Sequence, residues 1–308
     1  MSSPPSFDES SLLELIQERL GRQPSDRLIL GIGDDAAMLQ LDGEHVVTTD
    51  LLAESIHFLP DTPPALIGKK AINVNVSDLA AMAAEPVAAT LALAIPAGWN
   101  RQRCHELIGG IAAACDAARM PVVGGDISRS RQGLHLSVTA IGRITGRGAV
   151  RRSGARPGDA ICVTGPLGYS YLGRHLNFEP RWREALWLHE HGQLTAMMDL
   201  SDGLAADLPR LCHQSGCGAL LWEDCIPVAS APDDRQDHRS ALDHALHDGE
   251  DFELLFCCEP NDTHWRAAPI ELGLTVTQIG TIEAARELRI VRDGQSRPLP
   301  TGGYTHQW

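Results

Sequence analysis

Apolar positions along the chain change period several times, and each change predicts an element. Leu12, Leu15, Ile16 and Leu20 recur at helical spacing and Gly21 follows, which predicts a helix over residues 10–20. Apolar runs at 28–32 and 46–49 predict strands, and the AAMLQL stretch predicts another close behind the first. Residues 64–82 carry a helical pattern with an expected break at Asn75, Val76 and Ser77. The run 87–95 predicts a strand ended by Pro96, and 99–119 the longest helix. Residues 122–123 predict a short strand entering Gly124 and Gly125, and 134–144 alternate as a strand does. Further on, strands are expected at 160–164, 195–198, 219–222, 252–258 and 274–279. Helices are expected at 167–175, 181–190, 204–213 and 239–246.

Strands alternate with helices on both sides of one compositional break. That break, GRITGRGAVRRSGARPGD, is dense in Gly and Arg. The fold class expected is therefore α/β (or α+β) in two domains, residues 1–147 and 148–308. A chain of 308 residues has ample core for both.

Composition narrows the function. Apolar residues make up 43% but aromatic ones only 5%, so the core is expected to be Ala, Leu, Val and Ile. A net charge of −14 argues against nucleic acid or an anionic membrane as a partner. The polar start MSSPPSFDESS has no signal-peptide core, and the most apolar stretch, 87–97, is too short to span a bilayer. Eight cysteines form no CxxC pair and sit mostly in apolar runs, as reduced core thiols of a cytoplasmic protein would. The histidines form no zinc spacing.

The candidate chemistry lies in short carboxylates beside apolar runs: Asp34 and Asp35 in GIGDDAA, Asp50 in VVTTD, Asp78 in SDLAAM, Asp126 in VVGGD, Asp199 and Asp202 in MMDLSDG. Such residues cap helices or hold hard cations through oxygen. GIGDDA also fits the dinucleotide pattern G-x-G-x-x-A. Two carboxylates facing a pyrophosphate oppose that reading, since unit charges 4 Å apart repel by about 4 kcal/mol at an effective dielectric of 20. There is no P-loop, because Gly68-Lys69-Lys70 lacks its partner glycine, and no G-x-S-x-G elbow. Taken singly, SDLAAM and LSDGLAADL read as helix caps and VVGGD as a strand-ending turn. Asp61, Asp233, Asp234 and Asp237 read as solvated. Arg143, Arg147, Arg151, Arg152 and Arg156 form either a solvated linker or a phosphate-contacting group. Glu250, in DGEDFELLF, is a turn acid or a ligand contact, and His57 could simply be packed.

Read in order, GIGDDAAML, VVTTDLLAESIHFLP, GKKAINVNVSDLAAMAAEP, GGD, RRSGARPGD, TGPLG, DLSDGLAADL and GEDFELLF resemble the thiamine-monophosphate kinase family of PurM-like ATP-using enzymes. The likeness runs from about residue 8 to the end. It implies a PurM-like subunit of two domains, paired into a homodimer through the N-terminal sheets. It implies Mg²⁺-dependent transfer of the γ-phosphate of the co-substrate ATP to thiamine monophosphate. By motif, Asp35, Thr48, Thr49, Asp50, Asp78, Asp126, Asp199 and Asp202 correspond to the metal set. Gly125, Asp126, Arg152 and Ser201 correspond to ATP contacts, and His57, Glu250 and Tyr304 to contacts with the thiamine substrate. The resemblance implies the catalytic role for Asp126, Arg152 and Asp202. The acceptor is an anionic phosphate oxygen, so cations and alignment are needed rather than a general base.

The sequence departs from that pattern at four places. Tyr169 stands where the family commonly has Asp, NFEPR replaces an arginine-proline segment, DGED replaces GGED, and the chain ends GYTHQW. The alternatives are a catalytically weak relative that binds nucleotide or thiamine phosphate, or another PurM-like enzyme. Selenophosphate synthetase and the hydrogenase-maturation relative need cysteines near the N- or C-terminus, whereas the cysteines here run from Cys104 to Cys258.

Overall fold

The structure is a computed structural model and describes residues 9–21, 25–231 and 238–304. The polar start through residue 8, the carboxylates Asp233, Asp234 and Asp237, and the last four residues lie outside the described residues. Two compact units emerge. The first takes the chain to Leu79 and then Glu85–Ile144; the second takes Ala80–Ala84 and everything from Thr145.

In the first unit, α1 (Glu9–Leu20) buries the expected stripe Leu12, Leu15, Ile16 and Leu20. Strands β1 (Leu28–Leu30) and β2 (Met38–Leu39) pair antiparallel around the GIGDDAA loop. Then come β3 (His45–Ala53), α2 (Pro64–Ala81), β4 (Ala84–Pro96), α3 (Arg101–Ala118), β5 (Val122–Ser130) and β6 (His135–Ile144). The sheet order is β3-β6-β4-β5. β3 and β6 pair antiparallel from His45 opposite Arg143 to Ala53 opposite His135, and β4 and β5 run parallel. Asn100 caps α3, its Oδ1 accepting the Arg103 N–H at 2.9 Å. Glycine lets α2 meet α3: a Cβ on Gly110 would lie 2.0 Å from the Ala65 carbonyl oxygen.

In the second unit follow β7 (Ala160–Thr164), α4 (Trp182–His191), β8 (Leu194–Asp199), α5 (Leu204–Ser215), β9 (Gly218–Trp222), α6 (Ala241–His247), β10 (Leu254–Cys258), α7 (Ala268–Leu272), β11 (Val276–Glu283), β12 (Leu288–Arg292) and β13 (Gln295–Pro298). They build one seven-stranded sheet, β13-β12-β9-β11-β7-β10-β8, in which β9 and β12 are parallel and the other pairs antiparallel. Its central strands are buried on both faces. Ile161, Val163, Leu255 and Cys257 pack on one side with Leu204, Leu208 and Leu211 of α5. Cys162, Phe256 and Cys258 pack on the other with Ala185 and Leu188 of α4. This is why Leu254–Cys258 reads as an unbroken apolar run.

Four expectations about local structure need correction. Helix α2 does not break at residues 75–77. Asn73, Asn75 and Ser77 are buried, and Asn75 Nδ2 donates back to the Ala71 carbonyl at 3.1 Å, so these polar groups sit inside a continuous helix. Residues 122–123 do not end in a turn, because pairing with β4 carries β5 through GGD to Ser130. Residues 167–175 form two single 3₁₀ turns, not one helix. Asp78 is no helix cap, since it lies in the last turns of α2.

Candidate active site

Strand alternation divides the VVTTD motif. Thr48 and Asp50 project from one face of β3, while Val47, Thr49 and Leu51 project from the other. Thr48 Oγ1 donates to the Asp78 carboxylate, so β3 and α2 bring Thr48, Asp50 and Asp78 together. The Asp50 carboxyl is pushed up to about 6, first by burial and then by the charge of Asp78. Thr49 stands apart on the opposite face: its hydroxyl donates to the Val138 carbonyl at 3.1 Å and accepts from Thr139 at 3.1 Å.

Asp126 lies exposed on edge strand β5, opposite Ala92 of β4. Gly125 beside it must be glycine, because a Cβ there would sit 1.9 Å from the Leu91 carbonyl oxygen. Asp35 is exposed in the loop after β1, its N–H donating to Asp34 Oδ1 at 2.9 Å. His57 closes the turn after β3, with Nδ1 accepting the Ala53 N–H at 3.0 Å. Its carbonyl accepts from the fully buried Lys70 Nζ at 2.8 Å. Lys70 thereby ties the turn that carries His57 to α2.

Among the described residues no three His, Cys, Asp or Glu side chains form a ready-made metal cage. The donors are nevertheless hard oxygens, and two carboxylates crowd each other at Asp50 and Asp78. That arrangement fits Mg²⁺, which takes one or two carboxylates and completes its octahedron with water and substrate phosphates.

In the second unit the backbone gathers four predicted residues. The Glu250 N–H donates to the Ser201 carbonyl at 2.7 Å, and the Tyr304 N–H to the Asp202 carbonyl at 3.0 Å. Gly303 allows the C-terminal segment this approach, since a Cβ there would lie 2.5 Å from the Asp202 carbonyl oxygen. Asp202 does not stand as an open metal ligand, because its Oδ2 takes Arg210 Nη1 at 2.5 Å. The same guanidinium bonds Asp207, which also accepts the Asp202 N–H at 2.9 Å. Burial foremost pushes the Asp207 carboxyl up to about 6. Asp199 is buried at the end of β8. Arg152 is exposed, in a segment whose neighbour Arg151 accepts the Met197 N–H at 2.9 Å, so Arg152 runs beside β8.

The arginine segment is not uniformly solvated. Arg147 Nη2 donates to the carbonyls of His189 and Gly192 at the end of α4, and Arg143 pairs with Glu85 at 2.7 Å. Two departures from the family pattern are contacting neighbours. The Tyr169 N–H donates to Asp248 Oδ2 at 2.9 Å, and the Tyr169 ring stacks on His244 with centroids 4.1 Å apart. His244 Nδ1 lies 2.8 Å from the same carboxylate, and Arg239 Nη1 donates to its other oxygen at 2.7 Å. Asp251 pairs with Arg174 at 2.7 Å and Glu253 with Arg181 at 2.8 Å, pairings that were not foreseen. The signal was present in the acid run DGEDFE and in the two arginines upstream.

The two units correspond to two matched domains. Residues 33–144 match the AIR synthase related protein N-terminal domain and 169–293 its C-terminal domain. The fold is thus the two-domain AIR synthase type. Thiamine-monophosphate kinase of Rhodopirellula baltica is 35% identical, with 96% of each chain covered. The crystal structure of thiamine-monophosphate kinase from Stenotrophomonas maltophilia K279a is 33% identical with a TM-score of 0.80, covering 93% of this chain and 97% of that one. AaThiL complexed with AMPPCP and TMP is 26% identical with a TM-score of 0.74, covering 100% of this chain and 99% of that one. The chain belongs to the thiamine-monophosphate kinase family.

Proposed function

We propose that this chain transfers the γ-phosphoryl group of ATP to the phosphate of thiamine monophosphate, giving thiamine diphosphate and ADP. The observation that carries this reading is the full-length likeness to a relative holding AMPPCP, an ATP analogue with a methylene bridge, together with TMP. The geometry is compatible with it. The acceptor oxygen is already anionic, so the chain needs donors and cations to align two polyanions and no base to remove a proton.

Thr48, Asp50, Asp78 and Asp126 would hold Mg²⁺ in the first unit, with Asp35 on its exposed loop as a further oxygen donor. When bound, Mg²⁺ supplies charge neutralisation on the phosphates. Gly125 keeps β5 close to β4 and so presents the Asp126 carboxylate on the edge. Arg152 offers a planar fork for phosphate oxygens. Ser201 lies on the turn that bonds Glu250. Glu250, Tyr304 and His57 are assigned to thiamine monophosphate, and a carboxylate suits the cationic thiazolium ring. Asp202 acts through its pairing with Arg210, which orders the turn.

An exposed apolar face supports a homodimer. β3 is an edge strand, and its outward residues Val47 and Leu51 are 67% and 58% exposed. A nine-residue edge strand with such a face calls for cover, and a second copy of the same sheet supplies it. A cytoplasmic site suits the free thiols, seven of them buried. Among the described residues no helix is long and apolar enough to cross a membrane.

The test is product chromatography after incubation with MgATP and thiamine monophosphate, with free thiamine as control. Thiamine diphosphate and ADP should form together, and free thiamine should remain unchanged. No thiamine diphosphate at any Mg²⁺ concentration would overturn the proposal.

A further inference from the structure

The loop that carries Glu250 has an unusual backbone. Gly249, Glu250 and Phe252 have φ of 73°, 50° and 51°, in the left-handed region that L residues avoid. Such a loop keeps its form only where its surroundings over-determine it. Two of its backbone bonds go to the preceding turn, Glu250 N–H to Ser201 at 2.7 Å and Phe252 N–H to Leu200 at 2.8 Å. The Leu200 N–H donates in turn to the Glu253 carbonyl at 2.9 Å, and the side-chain ties come from residues 164–181 or from α6 and its approach.

These ties cover each side chain that flanks Glu250. Asp251 is buried and accepts the Gly168 N–H at 3.0 Å and Arg174 Nη2 at 2.7 Å. Glu253 is buried and takes a two-pronged grip from Arg181, Nε and Nη2 each at 2.8 Å, plus the Thr164 hydroxyl at 2.7 Å. Between these pairs the Phe178 ring stacks on Phe252, centroids 4.2 Å apart and planes 14° apart. Ser170 Oγ donates to the Gly249 carbonyl. Arg174, Phe178 and Arg181 recur close to one another along the chain, in the segment where the sequence leaves the family pattern.

We propose that Arg174, Phe178 and Arg181 form a cradle that positions Glu250 for the acceptor, making them positioning residues for thiamine monophosphate and not for ATP. The inference rests on the reading of Glu250 as an acceptor contact. The physical reason is leverage. Both carboxylates are buried, so their arginine partners cannot be replaced by water at small cost. The flat stacking of Phe178 on Phe252 fixes the residue two places beyond Glu250. Segment 174–181 therefore sets where the Glu250 side chain stands, without touching substrate itself.

The experiment compares Phe178→Leu, Arg181→Lys and Glu250→Gln with the unaltered full chain. KM for thiamine monophosphate and for MgATP is measured for each, with amide hydrogen exchange over residues 248–253. Leu keeps an apolar filler and Lys keeps a charge, so both variants retain the buried pairing in reduced form. The expected result is faster exchange over 248–253 in the two cradle variants. KM for thiamine monophosphate should rise about tenfold and KM for MgATP stay within about twofold. Glu250→Gln should raise the same KM with exchange unchanged. Unchanged exchange in both cradle variants would overturn the cradle. So would faster exchange that leaves KM for thiamine monophosphate unaltered while Glu250→Gln raises it. If Glu250→Gln itself leaves that KM unaltered, the reading of Glu250 fails, and the proposal falls with it.

Discussion

Asp50→Asn tests whether the first-unit carboxylates are held together against their own repulsion. The Asp50 carboxyl is pushed up from 3.8 to about 6, first by burial and then by Asp78. Between those values the folded chain keeps a proton that the unfolded chain has released, so stability falls as pH rises through that window. At 1.36 kcal/mol per unit, the raised Asp50 value costs the metal-free fold about 3 kcal/mol at pH 8, where both states are ionised, and about 1 kcal/mol near pH 4.5, where only the unfolded chain is. Asn keeps the shape and removes the charge. In EDTA, Asp50→Asn should therefore be more stable than wild type, by a margin that grows by about 2 kcal/mol from pH 4.5 to pH 8. Using the difference between the two proteins cancels Asp207 and Asp251, which burial foremost pushes up to about 6 and about 7 and which titrate in both. Mg²⁺ should reverse the order, stabilising wild type and leaving the variant nearly unmoved. Urea unfolding at both pH values, with EDTA and with Mg²⁺, reads all of this. A variant less stable than wild type in EDTA at pH 8, or a margin constant with pH, would refute the reasoning.

Arg152→Ala should lower turnover roughly 10- to 150-fold, the effect of losing about 1.5–3 kcal/mol of charged hydrogen bonding to a phosphate, with the exposed Arg156→Ala as a near-silent control. Steady-state rates at saturating substrate decide it, and equal effects would mean that Arg152 does not meet phosphate. Arg147→Ala should lower the melting temperature by loss of the cap on α4, worth about 1 kcal/mol, and leave KM for ATP unchanged. Gly125→Ala should force β5 away from the Leu91 carbonyl; titration calorimetry should then find MgATP binding lost, and a folded variant with unaltered affinity would contradict the close approach described. Wild type should gain about 2.7 kcal/mol of stability at a ligand concentration of 100 Kd for MgATP, read as a shift in thermal melting.

Some of this structure was legible before any coordinates. The stripe Leu12, Leu15, Ile16 and Leu20 announces α1, because an amphipathic period needs no tertiary knowledge. The apolar run at Leu254–Cys258 announces a strand buried on both faces. The second unit takes up the chain at Thr145, within a Gly- and Arg-rich segment, and also claims Ala80–Ala84, which no local signal conveys. The failures have physical causes. Asp50 and Asp126 were expected on turns, because Asp and Gly favour turns in isolation. Sheet pairing overrode that tendency, placing both within strands. Likewise Asn75 and Ser77 look like breakers, yet burial among α2's neighbours keeps the helix whole.

What the sequence could least convey is partnership between distant polar groups. In DGEDFE the sequence singles out Glu250 alone, yet Asp248, Asp251 and Glu253 each meet an arginine, from Arg239, Arg174 and Arg181. The departures behave the same way. Taken singly, Tyr169 for Asp and Asp248 for Gly look like two losses of the family pattern. In the fold the Tyr169 N–H donates to the Asp248 carboxylate, and His244 links them by stacking on one and bonding the other. A carboxylate absent at one position is present at its contacting neighbour. The Asp248 side chain is wholly buried and held by three groups, so this carboxylate braces the loop before Glu250 and is not offered to a ligand. The exchange therefore bears on how firmly the acceptor loop is held, and leaves the Thr48, Asp50 and Asp78 group of the first unit as it was.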